Sequence, residues 1–330
     1  MRPVTIYSMQ YGDMPFETFC KTMKEFGYDG IELGICGDHF DLSKLSDEYV
    51  AEKKAILAKY GLSLYTISQH LTGQCIADKI DFRHQSILAD YVWGDGDPDG
   101  VRQRAAQEVI KTGLAAKMLG CDTVIGFTGS PIWAYLYSFP PVSQEVIDNG
   151  YKEFAELMLP ILDEYQKMGV RYALEVHPTE IAFDIASAER TLEALNYHPA
   201  FGFNFDPSHF AYQGVDYVQF IYKFADRIFR VHMKDVWVSD RPAQAGVFGG
   251  HIPFGDYRRY WNFASMGRGS VNFRDIMRAL NYIGYNGPLS VEWEDNNMDR
   301  LHGAKESYAY VKALDHPVSK IAFDSDFGKK

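Results

Sequence analysis

The sequence predicts a single α/β domain, a (β/α)8 barrel of parallel strands with helices outside and long loops on its C-terminal face. Three observations predict it. Short β-rich runs alternate with longer helical patterns along all 330 residues, eight times over, and strands that alternate with helices pair in parallel. Composition does not shift anywhere along the chain, so 330 residues read as one domain, a length that α/β barrels reach. No GxGxxG turn follows the first strand, which ranks the open doubly wound sheet behind the barrel. The barrel is assigned to residues 1–315 and a C-terminal tail to 316–330.

The elements follow in order. Val4–Tyr11 is the first strand, and the helical pattern Phe16–Phe26 stops at Gly27. Gly30–Gly34 is the second strand, followed by a helix over Asp47–Tyr60 that stops at Gly61. Ser63–Leu71 is the third strand, Val101–Leu119 a long helix closed by Gly120, Thr123–Phe127 the fourth strand. A helix over Glu145–Met168 ends at Gly169. Tyr172–His177, Phe201–Asp206 and Phe229–Lys234 are strands five to seven, separated by helices near Ala188–Leu195 and Tyr217–Ala225. Phe273–Ile283 is a helix stopped by Gly284, Leu289–Glu294 the eighth strand and Arg300–Ala313 the last helix. The recurrent terminal glycine has a physical cause: without a Cβ it takes the left-handed conformation that ends a helix.

Three connections are longer than such links usually are, Thr72–Gly100, Gly129–Gln144 and Val236–Gly269. Each follows a strand and precedes a helix, which places all three on the face where barrel enzymes build their sites. They carry many aromatics, among them Tyr91, Trp93, Trp133, Tyr135, Tyr137, Phe248, Phe254, Tyr257, Tyr260, Trp261 and Phe263. Solvated loops rarely do, so a function is expected there. Those of the third loop are expected to pack on an aromatic ligand group or another subunit.

Charge and composition exclude several classes. With 33 Lys and Arg against 44 Asp and Glu, the net charge of −11 opposes a nucleic-acid partner. No apolar run is long enough for a membrane span, and the N-terminal segment has no apolar signal-peptide core. Cys20, Cys36, Cys75 and Cys121 are scattered, which suggests neither a disulfide framework nor a Cys metal site. A cytoplasmic setting is the expectation.

The chemistry lies at strand ends. Alternation puts Glu175 and His177 on one face of strand five; Asp206 ends strand six with His209 just beyond. His232 and Lys234 share a face of strand seven, and Glu292 and Glu294 share one on strand eight. Carboxylates inside a barrel are costly unless paired or bound to a cation. Four strands delivering such groups to one rim therefore predict a metal site, and its oxygen-rich character suits Mn²⁺ or Mg²⁺. Any one of these residues alone reads more simply as part of a salt bridge. Lys234 and Asp235 read equally as a salt-bridged pair or as contacts to substrate. Glu32 reads as a substrate contact or the partner of a basic residue, and Gln69 and His70 as sugar contacts or satisfied core groups. Gly267-Arg268-Gly269 reads as a seat for an anion or hydroxyl-rich ligand, or as a tight turn before a helix.

Taken together, Glu175, Asp206-x-x-His209, His232 and Glu292, with GRG at 267–269, resemble the xylose isomerase-like barrel superfamily of sugar isomerases and epimerases over nearly the whole chain. The resemblance implies one divalent ion on Glu175, Asp206, His232 and Glu292, Mn²⁺ first, with Mg²⁺, Co²⁺ or Zn²⁺ as alternatives. It makes His209 a substrate contact, with His70, Lys234 and Arg268 as further candidates. The superfamily's apurinic endonucleases carry an Asp-x-His after the matching His, which is missing between His232 and Glu292. His177, two residues after the first metal-binding Glu, departs from the ketose epimerases and is a natural general base. With the long aromatic loops it resembles the catalytic α subunits of C-glycoside deglycosidases. Those remove the C2 proton of a 3-keto-glycoside, expel an aromatic aglycone from C1, and work with a small β subunit. The implied function is proton abstraction next to the carbonyl of a keto-sugar or keto-glycoside through an enediolate, with catalytic roles for Glu175, His177 and Glu292 and an oligomeric assembly. The alternatives are a keto-sugar isomerase or epimerase and, more remotely, a non-catalytic sugar-binding subunit.

Overall fold

In the computed structural model, which describes residues 1–321, 323–325 and 327, eight parallel strands close on one another. The chain forms β1 (Val4–Tyr7), β2 (Gly30–Gly34), β3 (Ser63–Gln69), β4 (Thr123–Gly126), β5 (Arg171–Glu175), β6 (Phe201–Phe205), β7 (Ile228–Met233), β8 (Asp235–Val238), β9 (Trp261–Ala264) and β10 (Leu289–Val291). The barrel order is β1-β10-β7-β6-β5-β4-β3-β2. It is closed by β1 against β10, with Val4 opposite Leu289 and Ile6 opposite Val291. Strands β8 and β9 stand apart as a two-stranded antiparallel ribbon above the C-terminal ends.

The helices are α1 (Phe16–Phe26), α2 (Asp47–Lys59), α3 (His70–Gln74), α4 (Asp90–Trp93), α5 (Pro98–Leu119), α6 (Gln144–Met168), α7 (Ile185–Ala194), α8 (Pro207–Ala211), α9 (Tyr217–Lys223), α10 (Phe273–Tyr282) and α11 (Arg300–Leu314). Helices α1, α5 and α6 end on Gly27, Gly120 and Gly169 in the left-handed conformation, as the sequence predicts. Helix α5 begins earlier than expected because Asp97 caps it through the Gly100 N–H and Pro98 occupies its first turn. Strands β1, β3, β5 and β10 stop short of their expected ends, so His70, His177, Glu292 and Glu294 stand just past the sheet. The connection after β3 is not structureless: it holds α3, α4 and a 3₁₀ turn at Phe82–Ile87.

The main core lies between strands and helices. Phe201, Phe203 and Phe205 on alternate positions of β6 are fully buried and pack in the cluster that holds Phe220 and Phe224. Each contributes on the order of 1.5–3 kcal/mol from leaving water. Ile125, Ala173 and Phe229 form a small apolar cluster of their own, while other inward positions are polar and meet across the barrel in layers. At the floor, Arg230 of β7 crosses to the opposite strand β3, bonding Thr66 Oγ1 at 2.5 Å and the Tyr65 carbonyl at 2.9 Å, and pairs with Asp122 at 2.5 Å. Above it, His232 of β7 meets Glu32 of β2 at 3.0 Å. At the seam, Arg2 binds Asp315 through its backbone N–H and its guanidinium, both at 2.5 Å. Part of the tail expected over 316–330 lies outside the described residues.

Candidate metal centre

Four barrel strands deliver one side chain each to the C-terminal rim: Glu175 ends β5, Asp206 follows β6, His232 lies in β7 and Glu292 follows β10. One ligand-type atom from each lies within 4.8 Å of those of the other three, and all four residues are buried. Two ligand atoms about 2.2 Å from a shared cation stand roughly 3.1 Å apart at right angles and 4.4 Å apart when opposed. The cluster therefore has the dimensions of a single ion's shell. The donor chemistry agrees: three carboxylates and one imidazole, with Asp206 Oδ2 buried and making no well-aligned hydrogen bond among the described residues, only the looser approaches of His209 and Lys234 at 3.3 and 3.9 Å.

The orientation of His232 supports the same conclusion. Its Nε2 lies 3.0 and 3.1 Å from the two oxygens of Glu32, and its Nδ1 lies 3.0 Å from Glu175 and from Glu292. Glu32 is held in turn by Ser68 Oγ at 2.5 Å and Ser290 Oγ at 2.6 Å. A carboxylate behind a histidine fixes its tautomer and aims the other nitrogen at the metal. Burial opposes a charge on His232, but the carboxylates of Glu32, Glu292 and Glu175 outweigh it and hold the imidazole well above its ordinary pKa. The same field attracts any cation to this point.

Neighbouring groups close the shell. His70 Nε2 donates to Glu175 Oε2 at 3.1 Å, while its Nδ1 accepts from Tyr7 Oη at 2.9 Å. Asn204 Nδ2 donates to Glu175 Oε2 at 3.0 Å. His209 Nε2 lies 3.2 Å from Glu175 and 3.3 Å from Asp206. Burial lowers its affinity for a proton, yet Asp206 raises the pKa to about 9 overall. Lys234 Nζ is 3.2 Å from Glu292, 2.8 Å from Glu294 and 3.9 Å from Asp206, and lies 4.2 Å from the centre of the Phe263 ring. His177 differs from the rest. Its ring packs edge-on against His209 at 4.1 Å and beside Phe127 at 5.0 Å, and Nδ1 has no hydrogen-bond partner among the described residues. Burial and then the nearby His209 hold its pKa well below the ordinary value, so it is a neutral imidazole at the rim.

The structure thus brings together Glu175, His177, Asp206, His209, His232, Lys234, Glu292 and His70. It does not bring Arg268. That guanidinium is half-exposed and forms a two-pronged pair with Glu306 of α11, at 2.6 and 2.7 Å. The 267–269 turn does seat an anion, but the anion is the chain's own Asp235. Its carboxylate accepts backbone N–H bonds from Val236, Gly267, Gly269 and Val271 at 2.8–3.2 Å. A Cβ at Gly269 would lie 2.1 Å from Asp235 Oδ1, which is why that position is glycine. Lys234 and Asp235 are accordingly not a pair; they point to different partners. The third loop also differs from expectation. Trp261 stacks on Tyr212 at 3.8 Å, and Phe254 and Phe263 stack at 5.4 Å, so the ribbon supplies its own anchor. Phe248 and Tyr257 remain largely exposed, with Phe248 5.5 Å from the exposed Tyr137 of the loop after β4. Sequence reasoning did not identify Tyr7, Gln10 and Asn204, which touch His70, Glu292 and Glu175. Their only signal is a polar group at an inward strand position or just past a strand.

Comparison with known proteins agrees with this architecture. Residues 20–314 match the xylose isomerase-like TIM barrel family model, and the chain belongs to that family. It is 24% identical over 330 residues to the uncharacterized protein YfiH of Bacillus subtilis, covering 94% of this chain and 97% of that one. It is 26% identical over 288 residues to the rhizopine catabolism protein MocC of Rhizobium meliloti, covering 86% and 76% respectively. Among solved structures it is similar to the 3-keto-D-glucoside 4-epimerase YcjR of E. coli, with a TM-score of 0.65, 17 of every 20 residues differing at 15% identity, and coverage of 95% and 100%. No helix among the described residues is long and apolar enough to cross a membrane.

Proposed function

We propose that this member of the xylose isomerase-like family is a divalent-metal-dependent enzyme that removes the proton next to the carbonyl of a keto-sugar, as an isomerase or epimerase does. The observation that carries the reading is the buried four-residue donor set of Glu175, Asp206, His232 and Glu292 flanked by histidines and a lysine. Its similarity to a keto-glucoside epimerase supports the substrate class. A divalent ion held there, Mn²⁺ on the donor chemistry, supplies positive charge that polarises a carbonyl and offsets the charge developing on it. The chain's own residues supply the rest. His177, neutral and without a partner at Nδ1, accepts the proton from carbon. Glu175 and Glu292 are held ionised and are proton acceptors rather than donors; the imidazolium formed at His177 carries the proton that is returned to carbon. His209 and Lys234 lie beside the donor set and bind sugar hydroxyls. Phe127 and Phe263 limit water on the two sides of the site.

A second reading is favoured by one observation, the exposed aromatic pair Tyr137 and Phe248 across two mouth loops. In it the substrate is a 3-keto-C-glycoside. The C2–H bond breaks to His177, C1=C2 forms, and the C1–aglycone bond breaks with its electron pair passing to the aglycone carbon, which takes up a proton from the imidazolium or from water; a small β subunit covers the loops.

Both readings share proton abstraction, which one experiment tests. Metal-loaded protein incubated with keto-sugars and 3-keto-glycosides in D₂O should place deuterium next to the carbonyl, and chelation should abolish it. No exchange with any of these substrates refutes both. Release of an aromatic aglycone, lost when the loop between Ala243 and Asp256 is shortened, selects the second.

A further inference from the structure

Beside the metal centre lies a separate cavity of about 400 Å³ that the reaction above does not use. Its walls include Gln74, Asp78, Lys79, Arg83, Trp133 and Thr179. Three short stretches of chain run from the centre to it. His70 begins α3 and Gln74 ends it, a rise of about 6 Å. Phe127, whose ring touches both His70 at 4.8 Å and His177 at 5.0 Å, is followed by Ser130 of the cavity wall. His177 is two residues before Thr179. The cavity wall is thus joined to His70, Phe127 and His177 of the rim by chain segments of only two to four positions.

Its chemistry is specific. Trp133 is half-buried, packs in a T-shaped pair with Phe183 at 5.3 Å and contributes aromatic surface to the cavity wall. Asp78 is immobilised by Ser130 N–H at 2.8 Å, Gln74 Nε2 at 2.9 Å and His84 Nε2 at 3.2 Å. Lys79 donates to Tyr135 Oη at 2.7 Å and is paired with no carboxylate among the described residues. Arg83 is already neutralised by Asp81 at 2.8 Å. One aromatic wall ringed by planar amide, carboxylate and ammonium groups of balanced charge suits neither a phosphate nor a flat apolar ring. It suits the apolar C–H face and the equatorial hydroxyls of a saturated ring.

We propose that this cavity is a second subsite for a neutral, hydroxyl-rich six-membered ring, so that the preferred substrate is a keto-glycoside of two joined rings. This rests on the keto-sugar reading above and names its substrate class. Trp133→Ala and Lys79→Met are the test variants, with Trp133→Phe as the control that keeps an aromatic face. In Mn²⁺-loaded protein, Trp133→Ala and Lys79→Met lower kcat/KM for a 3-keto-disaccharide by about 10- to 100-fold, the range for losing one group from a pocket. They leave a methyl 3-keto-hexoside within about threefold, below the smallest such loss, and Trp133→Phe retains most of the disaccharide activity. Equal losses on both substrates, or none on either, overturn the subsite. Titration calorimetry with the parent, unoxidised disaccharide separates this from the functional reading. Binding that Trp133→Ala abolishes, in protein that turns over no keto-sugar, refutes the reaction and keeps the subsite; absence of binding by the unsubstituted protein, whatever its turnover, refutes the subsite.

Discussion

Replacing Glu292 with Gln removes one charged ligand while keeping size and hydrogen-bonding capacity. Glu292 Oε2 lies 3.0 Å from His232 and 3.2 Å from Lys234, and Oε1 accepts from Gln10 at 3.2 Å. Without metal the change is mild. Lys234 keeps Glu294 at 2.8 Å and Asp206 at 3.9 Å, and the relief of repulsion between Glu292 and Glu175 offsets part of the attraction to Lys234 and His232 that is lost. The metal-free stability should therefore fall by less than the roughly 3–5 kcal/mol of a broken buried pair. With metal the effect is large. If the substitution weakens affinity about 100-fold, a metal concentration of about 1,000 times the original Kd stabilises the unsubstituted protein by about 4.1 kcal/mol and the variant by about 1.4 kcal/mol. Thermal denaturation across a Mn²⁺ series, each protein against its own chelated control, reads this difference of about 2.7 kcal/mol directly. An undiminished metal-induced shift in Glu292→Gln would refute Glu292 as a ligand. A loss of about 3 kcal/mol in the metal-free protein would instead mark the cluster as a structural ion-pair network.

Other perturbations follow from the same geometry. His177→Ala should keep the full metal-induced stabilisation but lose about 10²–10⁴ in rate. Because burial holds this imidazole below its usual pKa, the base stays deprotonated as pH falls through about 6.5. The acid limb of kcat/KM should accordingly sit lower than that, and unchanged turnover in the variant would return the base role to a carboxylate. Asp235→Asn turns an amide NH₂ toward two of the four backbone N–H groups that the carboxylate now satisfies. Two unsatisfied buried donors should cost about 2–6 kcal/mol in urea denaturation, whereas a change below about 1 kcal/mol would mean that the turn holds itself. Arg268→Ala breaks only a half-exposed pair with Glu306 and should cost less than about 1 kcal/mol with kcat/KM unchanged; a tenfold loss of activity would place Arg268 back against substrate.

The barrel was legible because its signals are local. Terminal glycines, apolar strands and the alternation of elements act within a few residues of one another, and Gly27, Gly120 and Gly169 end helices where expected. The metal cluster was legible for a related reason. Each member sits at a strand end, and closure of the sheet carries all strand ends to one rim. What the sequence withheld are contacts between residues far apart in the chain. Glu32 and His232 are 200 positions apart, and only the barrel's diameter makes them partners. Arg268 misled because GRG describes a backbone that binds an anion without saying which one; Asp235 satisfies it internally. Helix α5 starts three residues before the expected Val101; Asp97-Pro98 is itself a helix-start signal, but it lies inside a long connection whose loop composition masks it.

Arg230 has a kinetic consequence. Its side chain lies across the barrel interior from β7 to Thr66 and is tied to Asp122, so the lower end of the barrel is stoppered by a charged group with fixed partners. On the proposed function, substrate and product would therefore share the C-terminal side of the barrel, because the floor offers no second way through. Product still there excludes the next substrate, so accumulated product should inhibit competitively. Turnover at saturation would then be governed by how fast the shared doorway clears, as much as by the chemistry beneath it.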